Sequence, residues 1–320
     1  MAEGEVLATA DPGARLAAMR FAMKPYPVMV GPTSHLAQER ERLRALTWQH
    51  FDACQLSPTI GAELSGLDLT RPLARPVVDD VLRALHEYKV IFFRDQPFTP
   101  EQHVAFARQF GDLEIHPFIP SNTGEQALVR FEKSAEVGGY ENAWHHDVTW
   151  RAEPSMGAVL HGISVPALGG DTLFADMYAA YDGLDAETKE RIEPLDAVHD
   201  YMRTFGHAVP PERRDEVRAQ YPQVAHPVVC RHAATGRRHL YVNRNFVDHI
   251  VGLEPDESVA LLDLLCRQAD YPEYQCRFHW EPHSVAFWDN RAVQHYASSD
   301  YWPLVRVMER ASIVGTRPTR

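Results

Sequence analysis

The sequence predicts a mainly β protein with flanking helices (α+β), folded around a jelly-roll, cupin-like double sheet. Three observations carry that prediction. From about residue 127 onward, short apolar segments recur between turns: "ALVRF", "GAVLHGISV", "DTLFADM", "HPVVCRH", "RRHLYVN", "YQCRFHW", "SVAFW" and "RASIVG". Tyr274, Cys276, Phe278 and Trp280 alternate with Gln275, Arg277 and His279, the period of a strand with one apolar face. Helical patterns are confined to the opening and to two insertions, near 185–193 and 255–268, so strands and helices do not alternate as a doubly wound fold requires.

Taken in order, residues 1–32 mix Ala, Gly, Pro and charge and read as a loosely held arm. Leu36, Arg40, Leu43 and Leu46 then recur at helical spacing, and a helix there either docks on the core or a neighbouring subunit or stays solvated. The expected organisation is an N-terminal extension with a helix over 1–55 and a single domain over 56–320. Val78, Val81, Leu82 and Leu85 mark one helix face, and "KVIFF" follows as a buried strand. In "FTPEQHVAFARQFG", Thr99 is the N-cap, Pro100 takes the first helical position, Gln102 completes a capping box, and Gly111 stops the helix. "HPVVCRH" and "RRHLYVN" are expected to join across "AATG".

The 320 residues are 45% hydrophobic, enough for a substantial core. A formal charge of -12 argues against a nucleic-acid partner, since phosphate binding needs clustered Lys and Arg. No run reaches the roughly 18 apolar residues of a membrane span, and no secretory leader pattern opens the chain. Cys54, Cys230, Cys266 and Cys276 show no CxxC spacing and read as reduced thiols, so a cytoplasmic location is expected.

The chemistry concentrates in "WHHDVTW", Trp144 to Trp150. On an extended backbone, residues two apart share a face, so His145 and Asp147 converge while His146 points away. They supply two ligands of a 2-His-1-carboxylate triad, and His295 in "FWDNRAVQHYASSDY" is the candidate for the third. Such a triad leaves one face of an octahedral ion open, as non-haem Fe(II) needs when it must also bind a co-substrate and O2. Eleven residues past His295 comes Arg306, and four further comes Arg310. A strand through them directs both guanidinium groups to one face, where each can grip two oxygens of a carboxylate or sulfonate. Alone, HxD or one arginine has an ordinary explanation as surface or core structure; their conjunction does not.

These residues carry a recognisable pattern. "WHHDVTW", "ALGGDTLFAD", "FWDNRAVQHYASSDY" and "RVMERASIVG", with "GAELSGLDLTRPL" and the run from Val90 to Pro117, resemble the motif set of the Fe(II)/2-oxoglutarate-dependent taurine dioxygenase (TauD/TfdA) family, over about residues 56 to 317. The resemblance implies a double-stranded β-helix core. It implies iron held by His145, Asp147 and His295, and 2-oxoglutarate gripped by Thr172 and Arg306. It implies a substrate anion bound by His116 and Arg310, a pocket bordered by Phe205 and Phe246, and Trp280 and Trp288 as apolar walls. Gly169 and Gly170 shape the turn before Thr172. Where the taurine enzyme has a Tyr and an Asn for the amine, this sequence has Ile119 and Glu141, so a substrate other than taurine is expected.

The implied activity oxidises a C–H bond of a small anionic substrate (sulfonate, sulfate ester or carboxylate) with Fe(II), 2-oxoglutarate and O2, releasing succinate and CO2. Hydroxylation, bond cleavage and desaturation all remain open, as does a role in tailoring a secondary metabolite. The resemblance also implies a homo-oligomer, dimer or tetramer. No separate acid or base is expected. A zinc hydrolase has the same donor set but leaves Thr172 and Arg306 unused, and a non-catalytic jelly-roll binder leaves the triad unexplained.

Overall fold

A computed structural model describes residues 33–115, 123–137 and 142–320. His116, Ile119 and Glu141 therefore lie outside the described residues, as does the expected arm over 1–32. The strands are β1 (Asp52–Gln55), β2 (Ala62–Ser65), β3 (Val90–Phe93), β4 (Leu128–Lys133), β5 (Gly157–Ser164), β6 (Thr172–Asp176), β7 (Asp196–His199) and β8 (Val224–Pro227). They continue as β9 (Val229–Arg231), β10 (Arg238–Leu240), β11 (Val247–Ile250), β12 (Gln275–Phe278), β13 (Val285–Asp289), β14 (Val293–Ala297) and β15 (Arg306–Ile313).

The major sheet runs β1-β2-β3-β13-β5-β15-β4, and a second sheet runs β12-β6-β14. Their inner faces meet in one apolar layer holding Phe92, Phe174, Phe278, Trp280, Trp288 and Met308. Side-chain alternation sends the other residues of the same strands outward: Ile91, Phe93, Val159, Phe287 and Ala311 pack under the helices Arg75–Tyr88 and Pro100–Arg108. A sheet buried on both faces explains why β3 and β13 read as continuous apolar runs. A smaller sheet, β11-β7-β8, and the β9–β10 hairpin across "AATG" complete the fold.

The helix Pro100–Arg108 begins as its sequence predicts. Thr99 Oγ1 accepts from the Gln102 backbone N–H at 3.3 Å, and Gln102 Oε1 accepts from Thr99 N–H at 2.8 Å. The helix Leu36–Arg44 resolves the alternative left open by its spacing, because it docks on this chain's own core through buried Leu36 and Leu43. Lys89, fully buried, fastens it: Nζ donates to Glu39 Oε1 at 2.8 Å and to Thr59 O at 2.6 Å.

Candidate metal centre and active-site cavity

His145 lies not in a strand but in a single bridge to β14, with His145 N–H donating to His295 O at 3.1 Å and His295 N–H to His145 O at 2.9 Å. The chain then turns over 147–150, and Val148 takes a left-handed backbone, φ 49°. That conformation is sterically costly for a β-branched residue and is found where surrounding structure over-determines it. What surrounds it here is Asn290, whose Oδ1 accepts from Asp147 N–H at 2.7 Å and whose Nδ2 donates to Asp147 O at 3.0 Å and Ser155 O at 3.1 Å. Asn290 is completely buried and holds the Asp147 backbone from both sides.

The alternation expected of His145, His146 and Asp147 survives the loss of the strand. Asp147 Oδ1 lies 3.7 Å from His145 Nε2 and 3.9 Å from His295 Nε2, and one ligand atom from each of the three residues falls within 4.8 Å of the others. His145 Nδ1 is 2.8 Å from the Ala143 carbonyl, which can only accept, so Nδ1 carries the ring proton and Nε2 presents its lone pair. Burial, with His145 beside it, pulls His295 down to about 3, which favours the neutral ring that binds a metal. Two imidazoles and one carboxylate fit Fe(II). His146 turns the other way, fully buried against Tyr241 with ring centroids 4.8 Å apart, and burial holds it well below the ordinary histidine value.

Beside the triad opens a cavity that His145 and His295 help to line. Its walls include Phe131, Leu160, Trp288 and Met308, and its polar groups include Thr172, Arg306 and Arg310. Arg306, Met308 and Arg310 all face inward from β15, as the spacing predicts, whereas Glu309 and Ala311 face the helices. Arg306 lies against the rings of Trp280 and Tyr301, at 5.8 and 5.9 Å. A side chain at Gly170, φ 73°, would come within 3.4 Å of the Arg306 side chain, so this glycine both makes the turn and clears room for the guanidinium. Thr172 Oγ1 accepts from Trp280 Nε1 at 2.9 Å, which leaves the hydroxyl proton available to another acceptor.

Arg310 is not idle: its Nη1 donates to Asp147 Oδ2 at 3.0 Å, and its Cζ lies 5.0 Å from the Phe131 ring centroid. Its Nε has no hydrogen-bond partner among the described residues. Phe205 and Phe246 form a pair, centroids 6.1 Å apart. Phe246 belongs to a small cluster with Val148 and Trp150, and neither phenylalanine is among the described residues lining the cavity. Asn290, the strain at Val148 and the Trp280–Thr172 bond were not read from the sequence. Asn290 and Trp280 sit inside or beside the quoted motifs, but nothing in their spacing says what they touch.

The family model for taurine catabolism dioxygenases, TauD/TfdA, matches residues 52–312. The chain belongs to the TauD/TfdA family. It is 34% identical over 276 residues to an alkylsulfatase of Acinetobacter baylyi, covering 83% of this chain and 86% of that protein. It is 35% identical over 277 residues to the (S)-phenoxypropionate/alpha-ketoglutarate-dioxygenase of Sphingobium herbicidovorans, covering 83% and 95%. A crystal structure of a taurine dioxygenase from Burkholderia xenovorans superposes with a TM-score of 0.74 at 38% identity, covering 84% of this chain and 91% of that one. This TauD/TfdA member is thus a non-haem iron oxidoreductase dependent on Fe(II), 2-oxoglutarate and O2, with the jelly-roll core its sequence predicts. No helix among the described residues is long and apolar enough to cross a membrane.

Proposed function

We propose that this enzyme oxidises a C–H bond in the hydrocarbon part of a small sulfate ester, sulfonate or carboxylate, with His145, Asp147 and His295 as its iron ligands. The observation that carries the reading is the inner face of β15, which presents Arg306 and Arg310 to one cavity beside the triad. Two organic anions have to be held there, 2-oxoglutarate and substrate, and two guanidinium groups provide for both. Iron, when bound with 2-oxoglutarate and O2, supplies the oxidant that removes the hydrogen atom as succinate and CO2 are released.

The protein's own part is to bind, orient and exclude water. Arg306, with the Thr172 hydroxyl proton left free by Trp280, holds the far carboxylate of 2-oxoglutarate. Arg310 receives the substrate anion through donors not spent on Asp147, so anion binding and orientation of a metal ligand share one side chain. Phe131, Leu160, Trp288 and Met308 enclose the hydrocarbon part and keep water out. That apolar lining favours an alkyl or aryl anion over compact, zwitterionic taurine. The reading places the enzyme in the cytoplasm as a homo-oligomer; the four cysteines are free thiols, in keeping with a reducing compartment.

Succinate release tests the substrate class. Alkyl sulfates and aryloxyalkanoates are expected to raise it at least about tenfold above the substrate-free rate, since loss of a charged hydrogen-bond partner costs at least about 1.4 kcal/mol. Taurine and the neutral alcohols corresponding to the active anions are expected to leave it near that rate. Equal stimulation by a neutral analogue would exclude anion recognition by Arg310.

A further inference from the structure

A second cluster of metal-binding side chains lies on the opposite face of the major sheet. His161 on β5 and Glu309 on β15 are direct cross-strand partners. Both point outward, since their neighbours Leu160 and Arg310 face the cavity. His103 comes down on them from the helix Pro100–Arg108. All three are buried, none more than 1% exposed, and one ligand atom from each lies within 4.8 Å of the others.

The hydrogen bonds around the cluster all lead away from its centre. His103 Nε2 lies 3.0 Å from the Val159 carbonyl, so it carries the ring proton and Nδ1 presents a lone pair. His161 Nε2 is turned to His283 Nδ1 at 3.4 Å. Arg130 occupies one oxygen of Glu309, with Nε at 2.9 Å from Oε1. The atoms left without a hydrogen-bond partner among the described residues are His103 Nδ1, His161 Nδ1 and Glu309 Oε2. Buried polar atoms in that state are rare and call for an occupant. A single water can donate to only two of three acceptors, whereas a cation serves all three.

We propose that His103, His161 and Glu309 form a second metal site, separate from the iron triad, that takes a divalent ion of the Zn(II) class. Two imidazoles and a carboxylate are a donor set that zinc accepts, with a fourth position for water. Burial, followed by the neighbouring histidine, holds His103 at about 3 and His161 at about 4, so both are neutral and ready to ligate. Phe98 stacks on His103 at 5.3 Å and packs edge-on to His161 at 5.4 Å, closing the cluster from the side. The ion ties the helix to β5 and β15 behind the cavity wall. By contrast, His86, His232 and Asp289 also converge, but His232 and Arg291 already saturate the Asp289 carboxylate with hydrogen bonds.

Equilibrium dialysis of the full chain against Zn(II) tests the site in a His145→Ala/His295→Ala background, which removes the first triad. One zinc ion per chain is expected to remain. Adding His103→Gln is expected to weaken its affinity by more than about 100-fold, beyond the about 10–100-fold of a merely orienting contact. The background protein needs no change in the cluster, so its zinc X-ray absorption spectrum gives an independent readout, expected to show two-imidazole scattering. A folded background that retains no zinc, retention undiminished by His103→Gln, or an all-oxygen spectrum would each overturn the proposal. None of these outcomes bears on iron-dependent turnover, so the active-site reading is tested separately.

Discussion

Replacing His295 by alanine is expected to abolish substrate-stimulated succinate formation, and replacing the adjacent pair His145 and His146 one at a time is expected to split cleanly. Changes to groups that only orient a metal ligand cost about 10–100-fold, and removing a ligand from a three-ligand set should exceed that. His145→Ala therefore loses activity and iron together. His146→Ala keeps the iron, because its ring packs on Tyr241 away from the triad. Its cost falls on stability instead: deleting a fully buried ring leaves a cavity worth about 2–5 kcal/mol, visible as a lowered Tm. Iron content by elemental analysis and a thermal melt on the same preparations separate the two effects. If His146→Ala loses iron while His145→Ala retains it, the backbone alternation around Asp147 has been misassigned.

Arg306 and Arg310 are expected to fail in different ways. Truncating one partner of a buried charged pair costs about 2–5 kcal/mol, roughly 30-fold or more in affinity. Arg306→Ala should place that loss on the KM for 2-oxoglutarate. Arg310→Ala should place it on the substrate, leaving 2-oxoglutarate consumption poorly coupled to product. The geometry adds a second effect for Arg310, since its Nη1 also holds Asp147 Oδ2. Arg310→Ala should therefore lower iron affinity as well, by the about 10–100-fold typical of an orienting partner. Steady-state kinetics with each co-substrate varied, beside an iron titration, resolves the three quantities. Equal losses in every parameter from both variants would contradict the assigned division.

Local rules made much of this legible before any coordinates. The capping box at Thr99 and Gln102 involves neighbours in the chain, and it formed as written. The period of two put Arg306, Met308 and Arg310 on one face because β15 is long and pairs with β4 in unbroken register. The same rule gave the right faces at His145 and Asp147 even though that segment makes only one bridge before turning. The helix Met177–Asp182 was not legible, because nearly every residue is buried and no polar face marks the helical period. β14 was hidden similarly: "VQHYA" is short, and its place beside β6 depends on pairing with residues far away in the chain. The His103, His161 and Glu309 cluster needs both the β5–β15 register and the seating of a helix, neither of which spacing along the chain records.

The central claim, that the triad holds iron and the cavity holds 2-oxoglutarate against it, has a direct optical test. Anaerobic addition of Fe(II) and then 2-oxoglutarate to the intact protein should produce a visible charge-transfer absorption that saturates at one equivalent per chain. Zn(II) in place of Fe(II) should give none, and admitting O2 should bleach the band as succinate forms. A folded protein that shows neither the band with Fe(II) and 2-oxoglutarate nor succinate after exposure to O2 would contradict the account.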